Sequence, residues 1–332
     1  MQRDSLGQYS HERLSNGINV FCVQNELPHQ NIDFILHAGS ATDGSLPGVH
    51  HKVEHLLSQR IYGKPFTKIE SYFERKGGQV CFGEVYFTST RFGCQIPLDI
   101  GVAERACNIF SEALFHAKFP KNDFQTEENI IVEEFRDQFA CLEQYQILKL
   151  GRKEIFGDHP LSGYVHQLGS VEEIRQIKRR DVESHYRRYF TPQSLTILST
   201  GGLLPADSIK MVEKATGDIF CLNSPERDLF PEILSPAYPE CKKIEFDPKQ
   251  LQFVSSDQGY FKTVIRLPGR TSEGMCEIVK RMIEKSLYLE LREKRGWLYD
   301  YTVAFEYLKA AWVVEIECKL KKESWPDSLQ IL

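Results

Sequence analysis

Two histidines four residues apart can serve one metal ion only if the chain between them is helical. The stretch His50-His51-Lys52-Val53-Glu54-His55-Leu56-Leu57 offers such a pair in His51 and His55. One helical turn stacks residues i and i+4 on the same face. Glu54 adjoins His55 and follows His51 by three residues, so its carboxylate can lie beside the metal without ligating it. Zinc held by two His and a carboxylate keeps a fourth position for water, whose pKa falls towards 7. A nearby Glu can take the proton as that water attacks a carbonyl. The plain alternative is a helix with exposed His and Glu, and the rest of the chain has to decide between them.

At 332 residues the chain is long enough for two domains and a substantial core. Its net charge of −5 and the lack of a basic block exclude nucleic acid as an implied partner. Nine scattered cysteines, with no Cys-x-x-Cys pair, point to reduced, buried thiols rather than a disulfide scaffold or a cysteine metal site. Met1 to Leu14 is polar and shows no secretory signal, and no apolar run is long enough to span a membrane. A cytoplasmic location is the resulting expectation.

Pattern and turn chemistry predict the elements in order. Leu14 to Phe21 reads as a hairpin turning at Asn16-Gly17, and Asn31 to Ala38 as a strand. Gly48 opens the motif helix, which runs to about Tyr62, and a second helix, Thr67 to Arg75, stops at Gly77-Gly78. Val80 to Ile96 is β-branched and aromatic, two strands. Long helices follow over 100–117 and 121–150, then a loop from Gly157 to Gly163. Ser170 to Tyr189 reads as one polar helix with a Ser170-x-x-Glu173 capping box. Ser194 to Thr200 is a strand, and Pro205 to Ile219 an amphipathic helix.

The composition then shifts. The proline-rich stretch 223–248 reads as a linker between a first domain, 1–222, and a partial second one, 249–332. In the latter, a strand to Leu267, a helix from Glu273 to Glu293 and strands from Leu298 to Cys318 weakly echo the first half. The fold class expected is α+β, each half a mainly antiparallel sheet with helices on one face, the second incomplete.

A site with two His needs a further ligand, usually a carboxylate from another element. Glu127, Glu128, Glu133, Glu134 and Asp137 are candidates. Glu127 and Glu134, two turns apart, share a face, so one could ligate while the other orients a His ring. A solvated acidic helix face explains the same residues.

His51-x-x-Glu54-His55 followed by Asn129-Ile130-Ile131-Val132-Glu133-Glu134-Phe135 resembles the inverted zincin metallopeptidases: pitrilysin, insulin-degrading enzyme and mitochondrial processing peptidase. Leu14 to Ile18, Gly39-Ser40 with Gly48, His159-Pro160, Gly169 to Ile174 and Tyr186 to Pro192 extend the resemblance. So does Leu291-Arg292-Glu293-Lys294-Arg295-Gly296-Trp297-Leu298-Tyr299. The resemblance implies one Zn2+ per chain on His51, His55 and Glu134, with Glu127 supporting the site and Glu54 as general base. It also implies that Arg292 and Tyr299 reach substrate, and that substrate adds as a strand along Val80, Cys81, Phe82, Gly83 and Glu84. The activity implied is that of a zinc endopeptidase acting on peptides or unfolded segments.

Two departures qualify it. Cys81, Phe82 and Glu84 stand where the family usually has Asn, Ala and Thr. The short second half implies a homodimer, a partner subunit or a longer parent protein. A catalytically impaired member serving as a peptide-binding or assembly subunit is therefore the alternative, and a maturation peptidase for one dedicated precursor a third.

Overall fold

A computed structural model describes residues 3–4, 7–138, 145, 149, 153, 168–219, 258–267, 272–307, 312–324 and 327–328. The expected loop 157–163, with His159 and Pro160, the linker 223–248 and His166 lie outside the described residues. The chain divides into two compact units, the first over 1–141 and 166–229, the second over 142–165 and 230–332.

The first unit is built on one mixed sheet. Its strands are β1 (Arg3–Asp4), β2 (Gly7–Arg13), β3 (Asn19–Gln24), β4 (His29–Leu36), β5 (Gln79–Val85), β6 (Thr90–Pro97) and β7 (Leu195–Gly201). They lie in the order β1-β2-β3-β7-β4-β6-β5, every neighbouring pair antiparallel except β3 with β7. Gly17, at φ 95°, makes the turn between β2 and β3 that Asn16-Gly17 predicts. Strict alternation in β4 buries Gln30, Ile32, Phe34 and Leu36, and in β7 it buries Leu195 and Ile197. Burying these side chains on one face of the sheet is what calls for helices there.

Those helices are α1 (Val49–Gln59), α2 (Phe66–Arg75), α3 (Ile100–Phe115), α4 (Lys121–Gln138), α5 (Val171–Gln176), α6 (Arg179–Tyr189) and α7 (Pro205–Thr216). Val49, Val53, Leu56 and Leu57 of α1 join the same core as Phe34, Phe73, Phe92 and Phe110. The described part of α4 reaches Gln138, within the longer helix expected. The single helix expected over 170–189 is two. The capping box is present, Ser170 Oγ accepting from the Glu173 N–H. Ile177 then turns extended and buries its side chain in the core, which ends α5 before α6 begins.

The second unit has a three-stranded antiparallel sheet of β8 (Gln258–Leu267), β9 (Leu298–Tyr307) and β10 (Trp312–Lys321), in the order β8-β10-β9. Its helix α8 (Glu273–Leu287) continues as a wider π turn over Tyr288–Glu293. Leu287, Leu291, Val303, Val314 and Ile316 form its core. The architecture is α+β, and both sheets are mainly antiparallel as expected, β3 with β7 being the one parallel pair among the described strands.

Candidate metal centre

The motif helix is fixed at its start by side chains that its own sequence does not reveal. Asp43 accepts hydrogen bonds from the Gly48 N–H (2.7 Å) and the His50 N–H (2.8 Å), two donors that the helix cannot satisfy itself. Burial pushes the Asp43 carboxyl up to about 8, against the pull of those two N–H groups. Gly48 has φ 86°, and a Cβ there would sit 2.2 Å from the Leu168 carbonyl oxygen, so only glycine lets α1 start against that segment.

From this start, His51 and His55 lie on the face of α1 that meets α4. Their Nε2 atoms lie 3.8 and 3.3 Å from the two carboxylate oxygens of Glu134, and the three donors are within 4.8 Å of one another. In a tetrahedron with metal–ligand bonds of about 2.0–2.1 Å, neighbouring ligand atoms stand roughly 3.4 Å apart. The donor set therefore fits a zinc-sized ion. Glu54 Oε2 stands 3.8 Å from His51 Nε2 and 4.0 Å from His55 Nε2, beside the group. Glu127 Oε2 accepts from His55 Nδ1 at 2.9 Å, which turns Nε2 towards Glu134. Of the five acidic candidates on α4, Glu134 and Glu127 reach this cluster. Glu128 pairs instead with Lys52, and Glu133 with Arg136 on the exposed side.

The electrostatics favour positive charge between these groups. Burial lowers the His55 imidazole, but its bonds to Glu127 and Glu134 and the field of Glu54 raise it further, to about 10. Burial raises Glu54 to about 7, with Glu134 and Glu127 adding to the rise and His55 opposing it. A carboxyl poised there can both accept and return a proton near neutrality.

Strand β5 ends the described sheet and runs past the same cluster. Its register shifts between Phe82 and Glu84, leaving Gly83 (φ 106°) as the extra residue of a bulge. A Cβ on Gly83 would lie 1.8 Å from Glu54 Oε1, so the bulge rests directly against the carboxylate. Phe82 turns inward and packs on Phe66, Phe92 and Phe110. Cys81 and Glu84 are half-buried, Glu84 held by Tyr86 and Arg91.

Arg292 and Tyr299 belong to the second unit. Arg292 lies in the π turn with its guanidinium 6.0 Å from the Tyr288 ring, and Tyr299, on β9, is 68% exposed. Sequence reasoning missed Asp43, Lys52 and the residues around His50. Lys52 and His50 take partners from elements far away in the chain, and Asp43 caps α1 from five and seven residues upstream, beyond the usual capping spacing.

No family model matches the chain. It is 28% identical over 171 residues to the uncharacterized zinc protease YmxG of Bacillus subtilis, a match covering 51% of this chain and 40% of that one. The chain thus spans less than half the length of that relative. A protease from Helicobacter pylori superposes with TM-score 0.80 at 15% identity, covering 98% of this chain and 78% of the other. An M16 peptidase inactive domain from Pseudomonas fluorescens superposes with TM-score 0.76 at 20% identity, covering 98% and 77%. The solved structures share the fold and the curated relative carries the zinc-protease name, while His51, His55 and Glu134 meet as a possible metal group; the chain is similar in sequence and fold to proteins of the M16, pitrilysin-like peptidase family.

Proposed function

We propose that the protein is a zinc-dependent endopeptidase of peptides or unfolded segments, with one zinc ion per chain on His51, His55 and Glu134. The observation that carries this reading is the convergence of these three donors with the Glu54 carboxylate beside them. A zinc ion held there supplies Lewis acidity and water of pKa near 7. Glu54 takes the proton of the attacking water on Oε2 and returns it to the leaving amine. Glu127 keeps the His55 ring in place through Nδ1. The outer edge of β5, from Val80 to Glu84, receives substrate as an added strand through main-chain hydrogen bonds. Arg292 and Tyr299 position substrate or stabilise the oxyanion.

The units correspond, in this reading, to a catalytic domain over 1–222 and a partial, related domain over 249–332, joined by 223–248. A second copy or a partner subunit pairs with the chain in this reading. Among the described residues no helix is long and apolar enough to cross a membrane.

The test is a mass-spectrometric cleavage profile on a mixed peptide pool, comparing zinc-loaded wild type with Glu54→Gln. Hydrolysis is expected to fall about 10²–10⁴-fold while zinc is retained. Undiminished cleavage by the variant would sink the mechanism. A second reading, a peptide-binding or assembly subunit, is favoured by Phe82, whose bulk fills the core beneath the substrate edge, and by the inactive M16 domain among the structural relatives. It takes the lead if wild type holds zinc and cuts nothing.

A further inference from the structure

Beside His51 in the motif stands a lysine with no exposure at all. Lys52 points from α1 into α4, where its Nζ bonds Glu128 Oε2 at 2.7 Å and lies 3.9 Å above the Phe124 ring. Phe124 and Glu128 are one turn apart on α4, so together they form a socket for the ammonium. Glu127, which orients His55, is the neighbour of Glu128, and Glu134 follows six residues after Glu128 on the same helix.

Two further polar contacts join the helices: His55 with Glu127, and Arg60 at the end of α1 with Asp123, where the half-exposed arginine is screened by water. Ile131, Val132 and Phe135 of α4 are buried, and apolar side chains of this kind accept small slides and rotations wherever they pack. A buried ammonium does not. Displacing α4 by one turn moves its axis about 5.4 Å and leaves Lys52 without a counter-charge inside the protein. Buried ion pairs are best attested as devices that fix register rather than as sources of stability.

We propose that Lys52 and Glu128 act as a positioning clamp for the metal centre. The pair sets the register of α4 on α1, so that Glu127 meets His55 and Glu134 meets both histidines. The inference rests on the reading of His51, His55 and Glu134 as the metal ligands. It assigns no contact with substrate to either residue.

The test pairs two readouts on the full chain: zinc affinity by competition with a chromophoric chelator, and amide hydrogen exchange over residues 121–138 without zinc. The double variant Lys52→Met/Glu128→Met removes both charges and keeps similar volume, so its melting temperature is expected to stay near that of wild type. Zinc affinity is expected to fall about 10–100-fold, the usual cost of disturbing what orients a ligand. Exchange in α4 is expected to speed up. A merely structural role predicts recovery of both properties together with the melting temperature, and wild-type zinc affinity in the double variant overturns the clamp. If wild type itself takes up no zinc, the metal-centre reading fails, and unchanged exchange in α4 then overturns the clamp separately. Should the double variant lose its cooperative melt, Glu128→Gln, which keeps the shape and removes the charge, carries the same comparison.

Discussion

His50 and His51 are consecutive residues of one helix and meet opposite circumstances. His50 is fully buried, with Nδ1 2.9 Å from His185 Nε2 and Nε2 2.7 Å from Thr90 Oγ1. Thr90 in turn donates to the Ala38 carbonyl, and Thr42 lies 3.3 Å from both rings. Donors and acceptors alternate through this chain, and both nitrogens of His50 are used. His51 instead faces Glu134 and Glu54, groups that only accept when ionised. The hundred-degree step between adjacent helical residues separates a closed network from an open donor set. A ligand histidine is thus recognised by what surrounds its ring, and adjacency in sequence says nothing about it.

The largest expected effect breaks the open side. His55→Ala removes one of three donors, and zinc is expected to be lost on dialysis against a mild chelator while the circular dichroism spectrum holds. Full retention, measured by atomic absorption, would remove His55 from the ligand set.

The closed side answers differently. His50→Ala leaves a cavity and strips partners from His185 and Thr90, at a cost of about 2–4 kcal/mol in urea unfolding. Zinc stoichiometry in the folded variant is expected to stay the same; a loss would erase the contrast between the two histidines.

Acid sharpens the comparison further. Burial, aided by Arg188, holds His185 down to about 3, so the folded state keeps it neutral. Its stability contribution is fully present above the ordinary pKa of about 6.5 and is lost as pH falls towards 3. Between pH 7 and 5 this amounts to about 2 kcal/mol, and His185→Gln is expected to flatten the slope by that amount. An identical slope in the variant assigns acid sensitivity elsewhere. The smallest effect tests the start of α5, which packs on α4 without touching the donor group. Ser170→Ala removes a helix cap, costs about 1 kcal/mol, and should leave zinc affinity untouched; a change in affinity would show that α5 reports on the site.

Legibility in the sequence followed the range of the interaction. Turn and cap chemistry acts within a few residues, so the Asn16-Gly17 turn, the stop at Gly77-Gly78 and the Ser170–Glu173 box could be read directly. Helical spacing paired His51 with His55 and Glu127 with Glu134, but it could not bring one pair to the other; that step came from the resemblance. The network of His50 with His185 spans 135 residues and has no sequence trace. Lys52 carries no signal of its own in the sequence, because a buried charge is visible only once its counter-charge has been placed. The break at Ile177 was missed for a related reason, since the core claims that side chain against the preference of a polar helix.

The bulge at Gly83 has a consequence for anyone redesigning the protein. Every encoded side chain except glycine's hydrogen would occupy the space of the Glu54 carboxylate. Alanine scanning of β5 would therefore report a defect at residue 83 that belongs to the displaced Glu54 carboxylate rather than to the strand. A library meant to test β5 as the proposed substrate edge should hold that codon fixed and diversify Cys81 and Glu84 instead.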